Sequence, residues 1–74
     1  MTRGWHPVEL AILEAAVKTP GKVNSRMIGE RFEMNTREVG KRATLLRNVG
    51  HLVPRKRYFF ATPAGRAMWE RLQK

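Results

Sequence analysis

No cysteine occurs anywhere in this chain of 74 residues, and that absence narrows the folds open to it. A chain so short buries only about 60% of the surface that its unfolded form exposes. Domains of this size are ordinarily secured by disulfides, a metal or a partner subunit. Without cysteine there is neither a disulfide nor a thiolate metal site. The two histidines, His6 and His51, are too few and too far apart to suggest zinc. Close packing or self-association remains, and the expectation is a single domain over residues 1–74 that dimerises.

Glycine and proline punctuate the sequence. His6-Pro7 opens the first element, because proline at a first helical position lacks only an N–H that would be unpaired there. From Val8 to Val17 the apolar residues recur at helical spacing, with Leu10, Leu13 and Val17 on one stripe and Ile12 beside it. Glu9 near the start and Lys18 at the end suit the helix dipole. Thr19-Pro20-Gly21-Lys22 then stops and turns the chain, so the spacing predicts a first helix over 7–18. Val23 is a lone apolar residue, either a very short strand or a core plug. Asn24 or Ser25 is placed to cap a second helix over 25–32, with Met27, Ile28 and Phe32 as its apolar face.

Glu33-Met34-Asn35 breaks the chain again. Asn35 or Thr36 caps a third helix over 36–49, and Glu38 is set to close a capping box from Asn35. Val39, Ala43, Leu46 and Val49, flanked by Leu45, mark its apolar side, and Gly50 ends it. His51-Leu52-Val53 and Tyr58-Phe59-Phe60-Ala61 read as strands around a basic connector, Pro54-Arg55-Lys56-Arg57. They predict a hairpin over 51–61, with Pro54 at an edge or in the turn and the three aromatics largely in the core. Thr62-Pro63 restarts a helix over 63–73, with Ala64, Met68 and Leu72 as a stripe and Trp69 beside it. The arrangement is α+β, mostly α: three helices, a hairpin and a last helix.

Fifteen Lys/Arg against six Asp/Glu give a net charge of +9, which implies a polyanionic partner, either nucleic acid or an acidic membrane surface. No apolar run approaches the ~20 residues that span a bilayer, and Met-Thr-Arg-Gly-Trp lacks the apolar core of a signal peptide. A cytoplasmic protein, with no membrane partner, is the expectation. The charge is unevenly placed. Residues 37–57 hold seven cations against the single anion Glu38, whereas residues 1–36 hold five cations against four anions. A surface charged for solubility alone spreads its charge more evenly.

Two helices joined by about three residues, the second strongly basic, form a helix-turn-helix pattern. The first helix of such a pair braces the second, whose polar face fits the DNA major groove. On a helical wheel, Arg37, Lys41, Thr44 and Asn48 lie opposite the apolar side of the third helix, with Gly40 and Arg47 at one margin. Arg and Lys suit guanine O6 and N7, Asn suits adenine or a phosphate, and the Thr methyl suits thymine. Gly40 costs roughly 1 kcal/mol against alanine in a helix, for close approach of either DNA or a neighbouring helix. Arg42 follows Glu38 by four residues and is read either as its ion-pair partner or as a phosphate contact. Arg55, Lys56 and Arg57 at the hairpin tip either reach phosphates or a minor groove or protect an exposed edge. Ser25 and Arg26, at the start of the second helix, are candidates for holding a phosphate through free N–H groups, and Thr36, at the start of the third, is a further candidate DNA contact. Trp5 and Trp69 are read either as core or as a dimer interface.

These stretches resemble a known family. Ser25-Arg-Met-Ile-Gly-Glu-Arg-Phe-Glu-Met-Asn-Thr-Arg-Glu-Val39 resembles the helix-turn-helix of winged-helix transcriptional regulators. Leu46-Arg-Asn-Val-Gly-His-Leu-Val53 is similar to the end of their recognition helix running into the first wing strand. Tyr58-Phe-Phe-Ala-Thr-Pro-Ala-Gly-Arg66 is similar to their second wing strand and following helix. The resemblance implies duplex DNA binding, commonly as a homodimer on palindromic sites. This chain departs in its very short wing and in lacking room for a ligand-sensing domain, so no small-molecule effector is expected. Its size would suit a phage, virus or plasmid, or a nucleoid-associated protein of a bacterium or archaeon.

Two rivals stand beside that reading: a winged-helix module for binding protein or RNA, and an architectural DNA binder without sequence preference. Catalysis and cofactors are not expected, since the chain has no aspartate, no paired carboxylates, no nucleophile beside a histidine and no glycine-rich phosphate loop.

Overall fold

The structure, a computed structural model, describes residues 4–55 and 57–73, the side chain of Pro54 excepted. Its elements are α1 (Pro7–Lys18), α2 (Ser25–Phe32), α3 (Thr36–Asn48), β1 (Leu52–Arg55), β2 (Tyr58–Ala61) and α4 (Pro63–Leu72). Each helix start is fixed by a side chain that accepts an otherwise unpaired amide. His6 Nδ1 accepts from Val8 N–H at 3.1 Å while Glu9 Oε1 accepts from His6 N–H at 3.2 Å, closing a capping box. Asn24 Oδ1 accepts from Met27 N–H at 3.0 Å, Asn35 Oδ1 from Glu38 N–H at 2.8 Å and Thr62 Oγ1 from Gly65 N–H at 3.0 Å. The capping box expected at Asn35 forms only in that half. The Glu38 carboxylate turns instead to Lys41, 3.7 Å away.

The turn between α2 and α3 is tight. Glu33 takes a left-handed conformation, φ 54°, and Met34 N–H donates to Gly29 O at 2.8 Å. A Cβ on Gly29 would stand 2.6 Å from the Met34 carbonyl oxygen. Glycine there lets the chain double back closely enough to set α3 against α2.

The core is one cluster. Val8, Ile12 and Ala16 of α1 meet Ile28 of α2, Val39 and Leu46 of α3, Leu52 of β1 and Phe59 of β2. Neighbours surround α1 on several sides, touching it from α2, α3, α4 and β2. Its buried arc therefore differs from the predicted stripe. Leu13 and Ile12 are fully buried, but Val8, Ala11 and Ala16 join them while Leu10 and Val17 are only half-buried. The margins of other helices also come out further than the pattern suggests. Met27, Leu45 and Val49 are 46%, 52% and 64% exposed, and on α4 the buried residue is Gly65 while Ala64 is exposed. A single thin core has no second layer with which to cover them.

The hairpin pairs Leu52 with Ala61, Val53 with Phe60, Pro54 with Phe59 and Arg55 with Tyr58. Pro54 and Arg55 thus belong to a strand rather than to the connector, which shrinks to Lys56 and Arg57; Lys56 lies outside the described residues. Proline fits because β1 is an edge strand of the two-stranded sheet. Arg57, at φ 75°, has the left-handed backbone that tight hairpin turns demand. Of the three aromatics only Phe59 is core; Tyr58 is 38% exposed and Phe60 half-buried.

The outer edge of β2 is occupied as well. Phe59 N–H donates to Val23 O at 3.0 Å, Gly21 N–H donates to Phe59 O at 3.1 Å, and Asn24 bridges Tyr58. Val23 therefore runs beside β2 without forming a strand of its own, the single bridge falling at Asn24, and it packs against the core. At the other end, Thr62 N–H donates to His51 O at 3.2 Å and Thr62 Oγ1 donates to Gly50 O. Gly65 lies so close to the His51 carbonyl that no side chain fits there, which fastens α4 to the α3–β1 junction.

Candidate nucleic-acid interface

With Val39, Ala43 and Leu46 turned into the core, α3 leaves Arg37, Lys41, Thr44, Arg47 and Asn48 exposed. Residues 37, 41, 44 and 48 are separated by four, three and four positions, so they share one face. Among the described residues no carboxylate pairs with Arg37 or Arg47. Lys41 leans toward Glu38, but both are well exposed, and such a pair contributes at most about 1 kcal/mol. Thr44 Oγ1 donates to Gly40 O at 2.9 Å. Its hydrogen is engaged within the helix, which leaves the methyl group and oxygen lone pairs to an outside partner. Gly40 is not packed against a neighbouring helix, because a Cβ built there meets no heavy atom within 4 Å.

A second group gathers beside this face. Asn24, Ser25, Arg26, Thr36 and Arg57 line one recess, so the starts of α2 and α3 meet the hairpin tip. Free N–H groups in both first helical turns carry partial positive charge, and two guanidiniums add full charges. Arg26 lies 3.8 Å from Glu30 on open surface, a pairing that water screens strongly. Arg55, exposed on β1, reaches the same tip. Local spacing marks Asn24 only as a cap; its place in the recess follows from its bridge to Tyr58, a contact between residues far apart in the chain.

Three other expected residues lie elsewhere. Arg42 does not pair with Glu38; its Nη1 stands 3.4 Å from Glu9 Oε2 on α1, because residue 42 falls on the shoulder of α3 that packs toward α1. Trp5 stacks on His51, ring centroids 6.4 Å apart, in a hollow with Leu45 and Val49. Trp69 receives Lys18 Nζ 5.6 Å from its ring centroid and lines a different hollow, with Pro7, Leu10 and Phe32. The two tryptophans thus line separate hollows. Among the described residues no group of three histidines or carboxylates is placed to hold a metal ion, and no helix is long and apolar enough to cross a membrane.

No family model matches the sequence, and no curated protein matches it. The architecture does match a solved one. The crystal structure of a MarR family protein of Mycobacterium tuberculosis superposes with a TM-score of 0.78 over 95% of this chain, at 18% sequence identity. The chain spans 53% of that protein's length. MarR family proteins are winged-helix transcriptional regulators, and the fold of this chain is the winged helix, with β1 and β2 as the wing.

Proposed function

We propose that this chain binds double-stranded DNA as a non-enzymatic transcriptional regulator. In this reading α3 enters the major groove by Arg37, Lys41, Thr44 and Asn48, with Arg47 at the margin. Ser25, Arg26 and Thr36 take backbone phosphates, and Arg55, Lys56 and Arg57 of the wing follow the backbone or the adjacent minor groove. Arg42, held by Glu9, positions α3 against α1 instead of meeting DNA. The observation that carries the reading is the convergence of the α2 start, the α3 start and the wing tip on one cationic recess beside the exposed face of α3. A module for binding protein has no need of that convergence.

A homodimer on a two-fold site and a soluble, cytoplasmic or nucleoid location accompany the proposal, without a small-molecule effector. The test is a fluorescence-anisotropy titration of the protein into a random-sequence duplex at several salt concentrations. Neutralising each phosphate gives a slope of about −0.9 in log K against log salt, so roughly four to seven contacts per protomer are expected. Absence of binding at low salt would sink the proposal. Equal affinity for all sequences after selection would instead favour an architectural binder.

A further inference from the structure

Each glycine inside a helix of this structure except one has an internal reason. On Gly29 a Cβ would run into the Met34 carbonyl, and on Gly65 into the His51 carbonyl. Gly40, five residues into α3, has neither a crowding neighbour nor a left-handed backbone. Glycine is the weakest interior helix former after proline, so α3 carries a local weakness that nothing within the fold requires. That weakness lies one turn from Arg37 and one turn from Thr44, both on the exposed face.

We infer that Gly40 and Thr44 form a notch on α3 that takes the 5-methyl group of a thymine. This rests on the proposed reading of duplex DNA by α3. At Gly40 the missing side chain lets the base edge approach the helix backbone. At Thr44 the hydroxyl donates to the Gly40 carbonyl at 2.9 Å, which leaves the γ-methyl available for an apolar contact, the recognised role of threonine opposite thymine. Arg37 and Lys41 flank the notch and fix the register by their charge. The notch thus reads one A·T pair by shape, between cations that contact guanine or phosphate.

The test uses the full chain and a duplex selected for tight binding. Each thymine of that duplex is replaced in turn by deoxyuridine, which lacks only the methyl group. One position is expected to weaken binding by wild type about fourfold. Gly40→Ala is expected to raise Tm by about 2–8 °C, to weaken binding about tenfold or more through overpacking, and to lose its response to deoxyuridine at that position. If Gly40→Ala binds the selected duplex as tightly as wild type, or lowers Tm, the inference is overturned. If no deoxyuridine position matters to wild type, it is overturned as well. Failure of the underlying reading is distinct, since wild type would then bind no duplex at all.

Discussion

Glu9 on α1 holds two partners at once. Its Oε1 accepts from the His6 amide at 3.2 Å and its Oε2 lies 3.4 Å from Arg42 Nη1. One carboxylate thus closes the cap of α1 and ties α3 to it. Glu9→Gln keeps the shape of the side chain and removes its charge. It is expected to cost about 1 kcal/mol in thermal or urea unfolding. Arg42→Ala is expected to cost a similar amount of stability and to leave the salt slope of DNA binding unchanged; a slope lower by about one unit would place Arg42 on a phosphate instead.

Arg57 sits at φ 75°, where any residue with a Cβ is strained by about 1 kcal/mol. Arg57→Gly is therefore expected to raise stability by roughly that amount while weakening DNA binding and flattening the salt slope by about one unit. Arg57→Ala keeps the strain and removes the charge, so it is expected to match the binding loss without the gain in stability. Denaturation midpoints and anisotropy on the two variants separate backbone cost from charge.

Glu38 tempers the cation beside it. With its carboxylate 3.7 Å from Lys41 Nζ, it offsets part of the positive field of α3. Glu38→Gln is expected to tighten duplex binding severalfold at low salt, with the gain fading as salt rises. Lys41→Ala is expected to weaken binding and relax sequence choice. Unchanged affinity in both variants would move the binding face off α3.

Gly65 and Gly29 are expected to tolerate no substitution. Gly65→Ala drives a methyl group into the His51 carbonyl and Gly29→Ala drives one toward the Met34 carbonyl. Each is expected to cost about 2–4 kcal/mol, read from urea midpoints, in contrast to the gain expected at Gly40.

The sequence disclosed the helices because their boundaries are local chemistry. Asn24, Asn35 and Thr62 act on amides three residues away, and Gly50, at φ 84°, ends α3 within one turn. The cationic face of α3 was legible by the same local rule, since residues 37, 41, 44 and 48 share a face in any α-helix. What escaped depends on contacts between distant parts of the chain. Arg42 and Glu9 are 33 positions apart, and no spacing rule links them. Leu45 and Val49 look like core on a wheel, but whether a margin is covered depends on what packs there. His6 as a cap was hidden because imidazole rarely serves as one. Pro54 in a strand was obscured by its own identity and allowed by the edge on which it lies.

The pairing of residues 21–24 with β2 bears on how the molecule can be divided. The wing is usually pictured as an appendage hung from a self-sufficient trihelical unit. Here a fragment ending at Gly50 would lose Leu52 and Phe59 from its core and leave the Gly21 amide and the Val23 carbonyl without their mates. The stretch before α2 waits for a strand that follows α3, so the packing of α2 and α3 is completed only after both wing strands have left the ribosome. For this chain the smallest heritable unit that still folds includes its wing.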